Sequence, residues 1–368
     1  MRILTIANLF GMVAIICSCK SGPVAYEKDF PIHIRLSEFA ESDKVISKIS
    51  SLADSISYVR LETDNAPMIG YGNPFEIPGG YLIQTSTELL FFSSDGKYLH
   101  KISKVGRGPG EYNRVSSAFG LDRERKQLFI PDQYHSMLVY GFDGSLRSGF
   151  SISTDHKIAA AIPDGTCFTG SMLCATPSVV YMPNGDICSE DTIHINPDET
   201  RTGEGSFYMY RLFFVQADNG LWVNEPDTTW LYTTCSDKKP FLIINPFASE
   251  NETTAYIYRL LPMTDNYFAI GHSACGFYSL NDRNYYRIQS DSAYFSLEDD
   301  IDHGPPVTFS QAHQSRMLQL VPAVELLYPD DPSKQASGKL QKIINELDAN
   351  DNPVIRIMWL RNNIGSDH

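Results

Sequence analysis

A guanidinium, a carboxylate and a phenol come together in the glycine-rich stretch Val105-Gly106-Arg107-Gly108-Pro109-Gly110-Glu111-Tyr112. Alternating glycines suggest a phosphate cradle, yet the spacing is not Gly-x-Gly-x-x-Gly. Pro109 removes a backbone donor, and the residues after Tyr112 read as a strand where a helix N-terminus is required. The stretch therefore reads as a tight connection, with glycine supplying positive φ and proline stiffness. A second arginine pattern occurs twice: Tyr208-Met-Tyr210-Arg211-Leu212 returns as Tyr256-Ile-Tyr258-Arg259-Leu260, displaced by 48 residues. Arginine offers a planar fork to carboxylates, and tyrosine a flat face to sugars and peptides. If such connections gather at one end of a central channel, Arg107, Glu111, Tyr112, Arg211 and Arg259 join Tyr210 and Tyr258 in a cationic, aromatic funnel. The competing expectation is that these arginines only tie neighbouring units together through carboxylates such as Glu111.

Other chemistry is sparse. The nine histidines are dispersed, and neither His-Glu-x-x-His nor Gly-x-Ser-x-Gly occurs. The acidic run Glu298-Asp-Asp-Ile-Asp302-His303 lacks the glycine and the terminal glutamate of a calcium loop, so it reads as a solvated turn. No catalytic residue, no metal site and no cofactor is expected. Beyond the N-terminus, Cys167, Cys174, Cys188, Cys235 and Cys275 include no Cys-x-x-Cys. They read as small buried apolar residues or, in an oxidising compartment, as partners in a disulfide, with the three from Cys167 to Cys188 first in line.

The N-terminus carries an address. Arg2 precedes Ile3 to Ile16, an apolar stretch too short to span a membrane, and this ends in Ile16-Cys17-Ser18-Cys19. That ending resembles a bacterial lipobox. The resemblance implies a signal peptide over residues 1–18 and lipidation of Cys19, with 19–30 as a tether and 31–368 as a single domain. Each buried CH₂ of an acyl chain contributes about 0.8 kcal/mol, so the expected partner of this end is a membrane. Acidic residues outnumber basic ones 44 to 30, for a net charge of −14, and no Lys/Arg-rich run appears. Nucleic acid is therefore not an expected partner.

The elements that would position these groups repeat. A short apolar strand runs into an Asp/Asn-centred turn at Asp95, Asp143, Asn184, Asp237 and Asp282, at spacings of 48, 41, 53 and 45 residues. Units of 40 to 50 residues with several short strands are what β-propeller blades require. Successive blades are expected over about 55–104, 112–152, 156–195, 206–246 and 254–290. Ile32 to Leu36 and Ile56 to Glu62 read as strands and 43–55 as a short helix. Tyr294 to Leu297 and Arg316 to Val321 read as strands of a sixth blade. Asp331-Pro332 offers a helix start, followed by Leu340, Ile343, Ile344 and Leu347 on one apolar face. Val354 to Leu360 reads as a terminal strand, and pairing it with an N-terminal strand would remove an exposed sheet edge.

Taken together, Asp54-Ser-Ile-Ser-Tyr58-Val-Arg-Leu61-Glu62-Thr63, Ser94-Asp95-Gly96-Lys97, Gly106 to Tyr112 and Asp351-Asn352-Pro353-Val354 resemble a group of six-bladed β-propeller lipoproteins of Gram-negative envelopes, similar to TolB-like and NHL-repeat propellers. The resemblance is weakest between Ile158 and Gly205. It implies an all-β, six-bladed propeller with four-stranded blades, closed by N- and C-terminal strands, plus a short C-terminal helix. It also implies an envelope address, with the outer membrane expected, and no settled activity. The expected function is a non-catalytic binding or scaffold propeller for an acidic glycan, peptide or envelope protein partner at the channel face. The alternative is a propeller hydrolase, lactonase or lyase with its site at the channel mouth.

Overall fold

In each of the five strand-plus-turn copies the turn joins the third and fourth strands of a four-stranded antiparallel blade, and two of these blades gain a further parallel strand at their outer edge. The computed structural model describes residues 30–35, 38, 41–102, 106, 108, 111–112, 119–132, 135–153, 156, 158–170, 177–191, 213–224, 228–245, 259–271, 275–289, 296–310, 312–329 and 335–365. Gly96, Gly144 and Gly185 hold the turns with φ of 84°, 80° and 92°. Beside three of the turns the ladder slips by one residue, at Phe91/Phe92, Val139/Tyr140 and Val180/Tyr181, and it slips again at Thr229/Trp230 in the fourth blade. This is the bulge that a left-handed glycine produces, and it adds twist to the outer strand.

The first blade is Asn73–Ile77, Gly80–Gln84, Leu89–Ser93 and Tyr98–Ile102, in spatial order from the centre outward. The second is Gly120–Asp122, Gln127–Pro131, Ser136–Gly141 and Leu146–Ser151, and the third Ile158–Ala161, Cys167–Gly170, Ser178–Tyr181 and Ile187–Asp191. The third is thus a regular blade despite its weak match to the repeat. The fourth is Phe213–Ala217, Gly220–Asn224, Thr228–Tyr232 and Lys238–Asn245; the fifth is Arg259–Thr264, Tyr267–Gly271, Cys275–Ser279 and Tyr285–Ile288. The sixth combines Ala312–His313, Arg316–Val321 and Val354–Leu360 with Ala53–Arg60 as its outermost strand. Residues 53–60 therefore belong to the closing blade and not to the first.

Strand residues are apolar in unbroken runs because every blade is buried on both faces. Side chains alternate between faces with period two. Leu89 and Phe91 join Leu128, Ile130 and Leu138 between the first and second blades, while Leu90 and Phe92 join Ile355 and Ile357 between the first and sixth. Four further clusters fill the remaining interfaces: Phe129, Met137 and Val179; Phe168, Val180 and Tyr232; Trp222, Phe241 and Phe268; and Phe277, Ile56 and Met358. Six interfaces for six blades means the ring is closed.

The N-terminal segment runs around the outside of the ring. Ile32–Arg35 is the expected strand and adds in parallel to Leu242–Asn245 of the fourth blade. The stretch 43–55 is not a helix. Val45–Ile46 pairs in parallel with Arg287–Ile288 of the fifth blade, and Ile49–Ser51 forms only one tight turn. Ile46, Ile49 and Leu52 are all buried, so burial against the fifth and sixth blades overrode the helical pattern. Ser296–Leu297 also departs from expectation, pairing with Val307–Thr308 in a separate two-stranded sheet. The helix Gly338–Ile344 packs Leu340, Ile343 and Ile344, with Leu347 just beyond, on Val321 and Val354, while the Asp331-Pro332 start lies outside the described residues. The disulfide joins Cys188 to Cys235, linking the third blade to the fourth, and Cys167 is a buried free thiol. Sequence nearness favours pairing within 167–188, but the closed ring brings together residues 47 apart.

Candidate functional site

In a four-stranded antiparallel blade, the first-to-second and third-to-fourth hairpins lie at one end. The second-to-third turn and the connection to the next blade lie at the other. At the hairpin end, the six first-to-second turns converge on a cavity of about 770 Å³. Glu76 comes from the first blade, Asp122 to Glu124 from the second, and Ala161, Ile162 and Pro163 from the third. The fourth supplies Gln216 and Asp218, the fifth Asp265, and the sixth His313, Gln314 and Arg316.

The turns are tight enough to aim these groups inward. Gln314 and Ser315 both have positive φ, 48° and 57°, as a two-residue hairpin turn of primed type requires. Gly220 follows Asp218-Asn219, and a Cβ there would stand 2.5 Å from the Tyr232 carbonyl oxygen. From the inner strand of the fourth blade, Gln216 reaches the inner edge of the second blade. Its Nε2 donates to Leu121 O (2.8 Å) and its Oε1 accepts from Leu121 N (2.9 Å). The amide completes an unpaired strand edge as a neighbouring strand would, and it ties two non-adjacent blades across the channel.

Most charges are paired within the wall. Arg316 Nη1 donates to Glu76 Oε1 (2.8 Å) and its Nη2 to Gln314 Oε1 (2.9 Å), while its guanidinium lies 5.2 Å from the Trp359 ring centre. Asp218 accepts from His313 Nδ1 and from Gln314 N (2.6 Å). A carboxylate can only accept, so His313 carries its proton on Nδ1. Burial pushes the Asp218 carboxyl up, but His313, the Gln314 amide and Arg123 outweigh it and hold it below its ordinary value. Asp122 accepts from Arg125 N (2.9 Å), Arg125 Nη1 (3.4 Å) and Gln127 Nε2 (3.3 Å).

Two groups are left over. Arg123 donates through Nε to Glu76 O (2.8 Å), and its terminal nitrogens have no partner among the described residues. Burial lowers its pKa to about 10, against the pull of Asp218 and Glu76, so it remains a cation with much of its hydration removed. Asp265 makes no hydrogen bond or ion pair among the described residues. Partial burial of its carboxyl and the charge of Asp218 raise its pKa. Among the described residues no three His, Cys, Asp or Glu side chains come together in a metal-holding group.

Of the residues singled out from sequence, Glu111, Tyr112 and Arg259 lie in or beside connections at the other end. Arg107, Tyr210, Arg211 and Tyr258 fall outside the described residues, and so do Tyr208 and Tyr256. Arg259 begins the inner strand of the fifth blade opposite Gly271, at the connection end. Glu111 turns back on its own loop, with Oε2 accepting from Gly108 N (2.8 Å). A Cβ on Gly106 would stand 1.8 Å from that oxygen, so this glycine permits close approach of a carboxylate and not a positive φ. Tyr112 is fully buried between the first and second blades, its hydroxyl donating to Ile102 O (2.9 Å). It locks the connection to the first blade, and burial raises its pKa. The structure therefore brings Glu111 and Tyr112 together as parts of a connection. The hairpin-end cavity has no sequence motif because its groups sit in turns of unequal length. One signal is present: Asp218-Asn219 returns as Asp265-Asn266, 47 residues later, within the blade period.

A closed ring of six four-stranded blades around a polar cavity defines a six-bladed β-propeller. The chain belongs to the family described as domain of unknown function DUF4934, which matches residues 31–358. A protein assigned as exported in Bacteroides fragilis is similar in structure, with a TM-score of 0.63 at 16% identity, covering 90% of this chain and 99% of that one. The extracellular domain of a one-component system of Bacteroides thetaiotaomicron aligns with a TM-score of 0.39 at 14% identity, over 64% of this chain and 29% of that one. No curated protein matches the chain.

Proposed function

We propose that the chain is an exported, lipid-anchored binding propeller whose hairpin-end cavity takes an acidic group of a glycan, a peptide or an envelope protein partner. The observation that carries this reading is Arg123, a partly dehydrated guanidinium at the cavity with its terminal donors unused. An arriving carboxylate would restore the lost hydration with charge-assisted hydrogen bonds. Most other charged groups of the wall, Glu76, Asp122, Asp218 and Arg316 among them, are already bonded within it, which supports a fixed shape. Export and anchoring rest on the apolar N-terminal stretch ending in Cys19. The Cys188–Cys235 disulfide, as expected of an oxidising compartment, and the export assigned to the similar B. fragilis protein support export. The Arg107, Arg211 and Arg259 motifs, with Tyr210 and Tyr258, remain a second candidate; Arg259 begins its strand at the connection end, and the other four lie outside the described residues.

Titration calorimetry with oligogalacturonate and with a short acidic peptide tests this reading. Arg123→Gln should weaken whichever binds by 10- to 100-fold, the loss of about 1.5–3 kcal/mol expected for a hydrogen bond to a charged group, with the melting temperature little changed. Equal affinity in Arg123→Gln and wild type removes the cavity from the reading.

A further inference from the structure

Most of the cavity's charged groups are bonded to one another or to the wall. Glu76 is taken by Arg316, Asp218 by His313 and the Gln314 amide, and Asp122 by Arg125 and Gln127. Glu124 points away, 81% exposed, toward Arg125. The terminal nitrogens of Arg123 and the carboxylate of Asp265 have no such partner among the described residues. They stand on the second and fifth blades, three places apart in a ring of six and therefore on facing sides of the channel. Between them along the ring lies an uncharged stretch of wall, Ala161, Ile162 and Pro163 of the third blade.

We propose that the cavity binds a short zwitterionic peptide, with its C-terminal carboxylate on Arg123, its N-terminal ammonium on Asp265 and its side chains toward the Ala161–Pro163 wall. This rests on the reading of Arg123 as the anion anchor and narrows it. A volume of about 770 Å³ is in the range of pockets that enclose small ligands, and it accommodates a di- or tripeptide. Fixed charges at opposite sides measure the separation of the two termini. They therefore select for length as well as for sign, and a single anion gains only half of the contacts. Asp265 is suited to its part because the nearby Asp218 charge and its own partial burial leave it short of a counter-ion, which an ammonium group supplies.

Calorimetric titration at pH 7 with trialanine, N-acetyl-trialanine and trialanine amide separates this inference from its foundation. Trialanine should bind, and each blocked form should bind about tenfold or more weakly, as loss of one charge-assisted contact implies. Asp265→Asn should weaken trialanine by a similar factor while leaving N-acetyl-trialanine unchanged, and Arg123→Gln should weaken trialanine while leaving trialanine amide unchanged. If N-acetyl-trialanine binds as well as trialanine and Asp265→Asn has no effect, the zwitterion inference is wrong while the anion anchor stands. No binding of trialanine at millimolar concentration, with acidic ligands still captured through Arg123, also overturns it. Loss of both classes overturns the anion anchor too. Melting curves of Asp265→Asn exclude misfolding as the cause, since removing an unpaired, partly buried charge should leave stability equal or higher.

Discussion

Asn352 is 1% exposed and acts as a clasp between the closing blade and the first. Its Oδ1 accepts from Ile69 N (2.7 Å), and its Nδ2 donates to Glu62 O (2.7 Å) and Pro67 O (3.1 Å). One side chain thus supplies backbone partners along the link from Ala53–Arg60 to Asn73–Ile77. Asn352→Ala removes three hydrogen bonds at about 1 kcal/mol each and strands one donor and two acceptors, so the expected loss is about 3 kcal/mol or somewhat more. Asn352→Asp is the sharper test. Its carboxylate can still accept from Ile69 N, but it sets a second negative oxygen against the Glu62 and Pro67 carbonyls, so it should be no milder than alanine. Urea denaturation followed by tryptophan fluorescence should show lower midpoints with unchanged slopes for both. A loss under about 0.5 kcal/mol for alanine, or an aspartate variant as stable as wild type, would refute the clasp.

Serine at both Cys188 and Cys235 should cost about 4 kcal/mol on the loop-entropy estimate for a separation of 47 residues, read as a midpoint shift that dithiothreitol reproduces in wild type only. Partial burial pushes the Asp282 carboxyl up, but hydrogen bonds from Ser279, Asn284, Tyr286 and Lys44 win and hold it well below its ordinary value. A lowered carboxyl contributes stability above the unfolded-state pKa of about 3.9 and loses it as pH falls further. Asp282→Asn should therefore lower the melting temperature at pH 7, and the gap to wild type should close below about pH 4; a gap independent of pH would contradict the assignment. Arg356 is fully buried and donates to Asp299 Oδ2 (3.3 Å), Pro305 O (2.6 Å), Pro306 O (2.9 Å) and Gln319 Oε1 (2.6 Å). Arg356→Met should cost about 3–5 kcal/mol by leaving the buried Asp299 carboxylate without its cation, Asp299→Asn added to it should recover part of the loss, and Arg356→Lys should not rescue. Thermal melts showing an additive double variant would count against the pair.

The architecture was legible because a propeller repeats its local code. Asp95-Gly96, Asp143-Gly144 and Asn184-Gly185 mark the same hairpin in three blades, and apolar runs such as Leu89 to Phe92 reflect burial on both faces. What sequence could not show was tertiary. Val45–Ile46 has helical neighbours in its pattern, yet it becomes a strand because the fifth blade presents an open outer edge at Arg287–Ile288. Cys188 meets Cys235 only once the third and fourth blades stand side by side. The cavity is illegible for a related reason. Glu76, Arg123, Asp218, Asp265 and His313 share no motif, and only ring closure makes them neighbours. Tyr112 looks like a ligand contact in sequence and is a core residue, because an aromatic beside a glycine loop reads alike in either role.

The outer girdle has a consequence for how the molecule is made. Ile32 waits for Leu242, Val45 for Arg287 and Ala53 for Leu360, so the earliest-synthesised strands of the described chain find their partners last. Such long-range pairing makes assembly slow relative to chain emergence. Until Val354–Leu360 arrives, the sixth blade lacks the strand that joins its two parts, and the circle has an open seam. A latch of this kind leaves sealing of the ring to the last strand of the described chain, so a chain cut short before residue 354 keeps that edge bare.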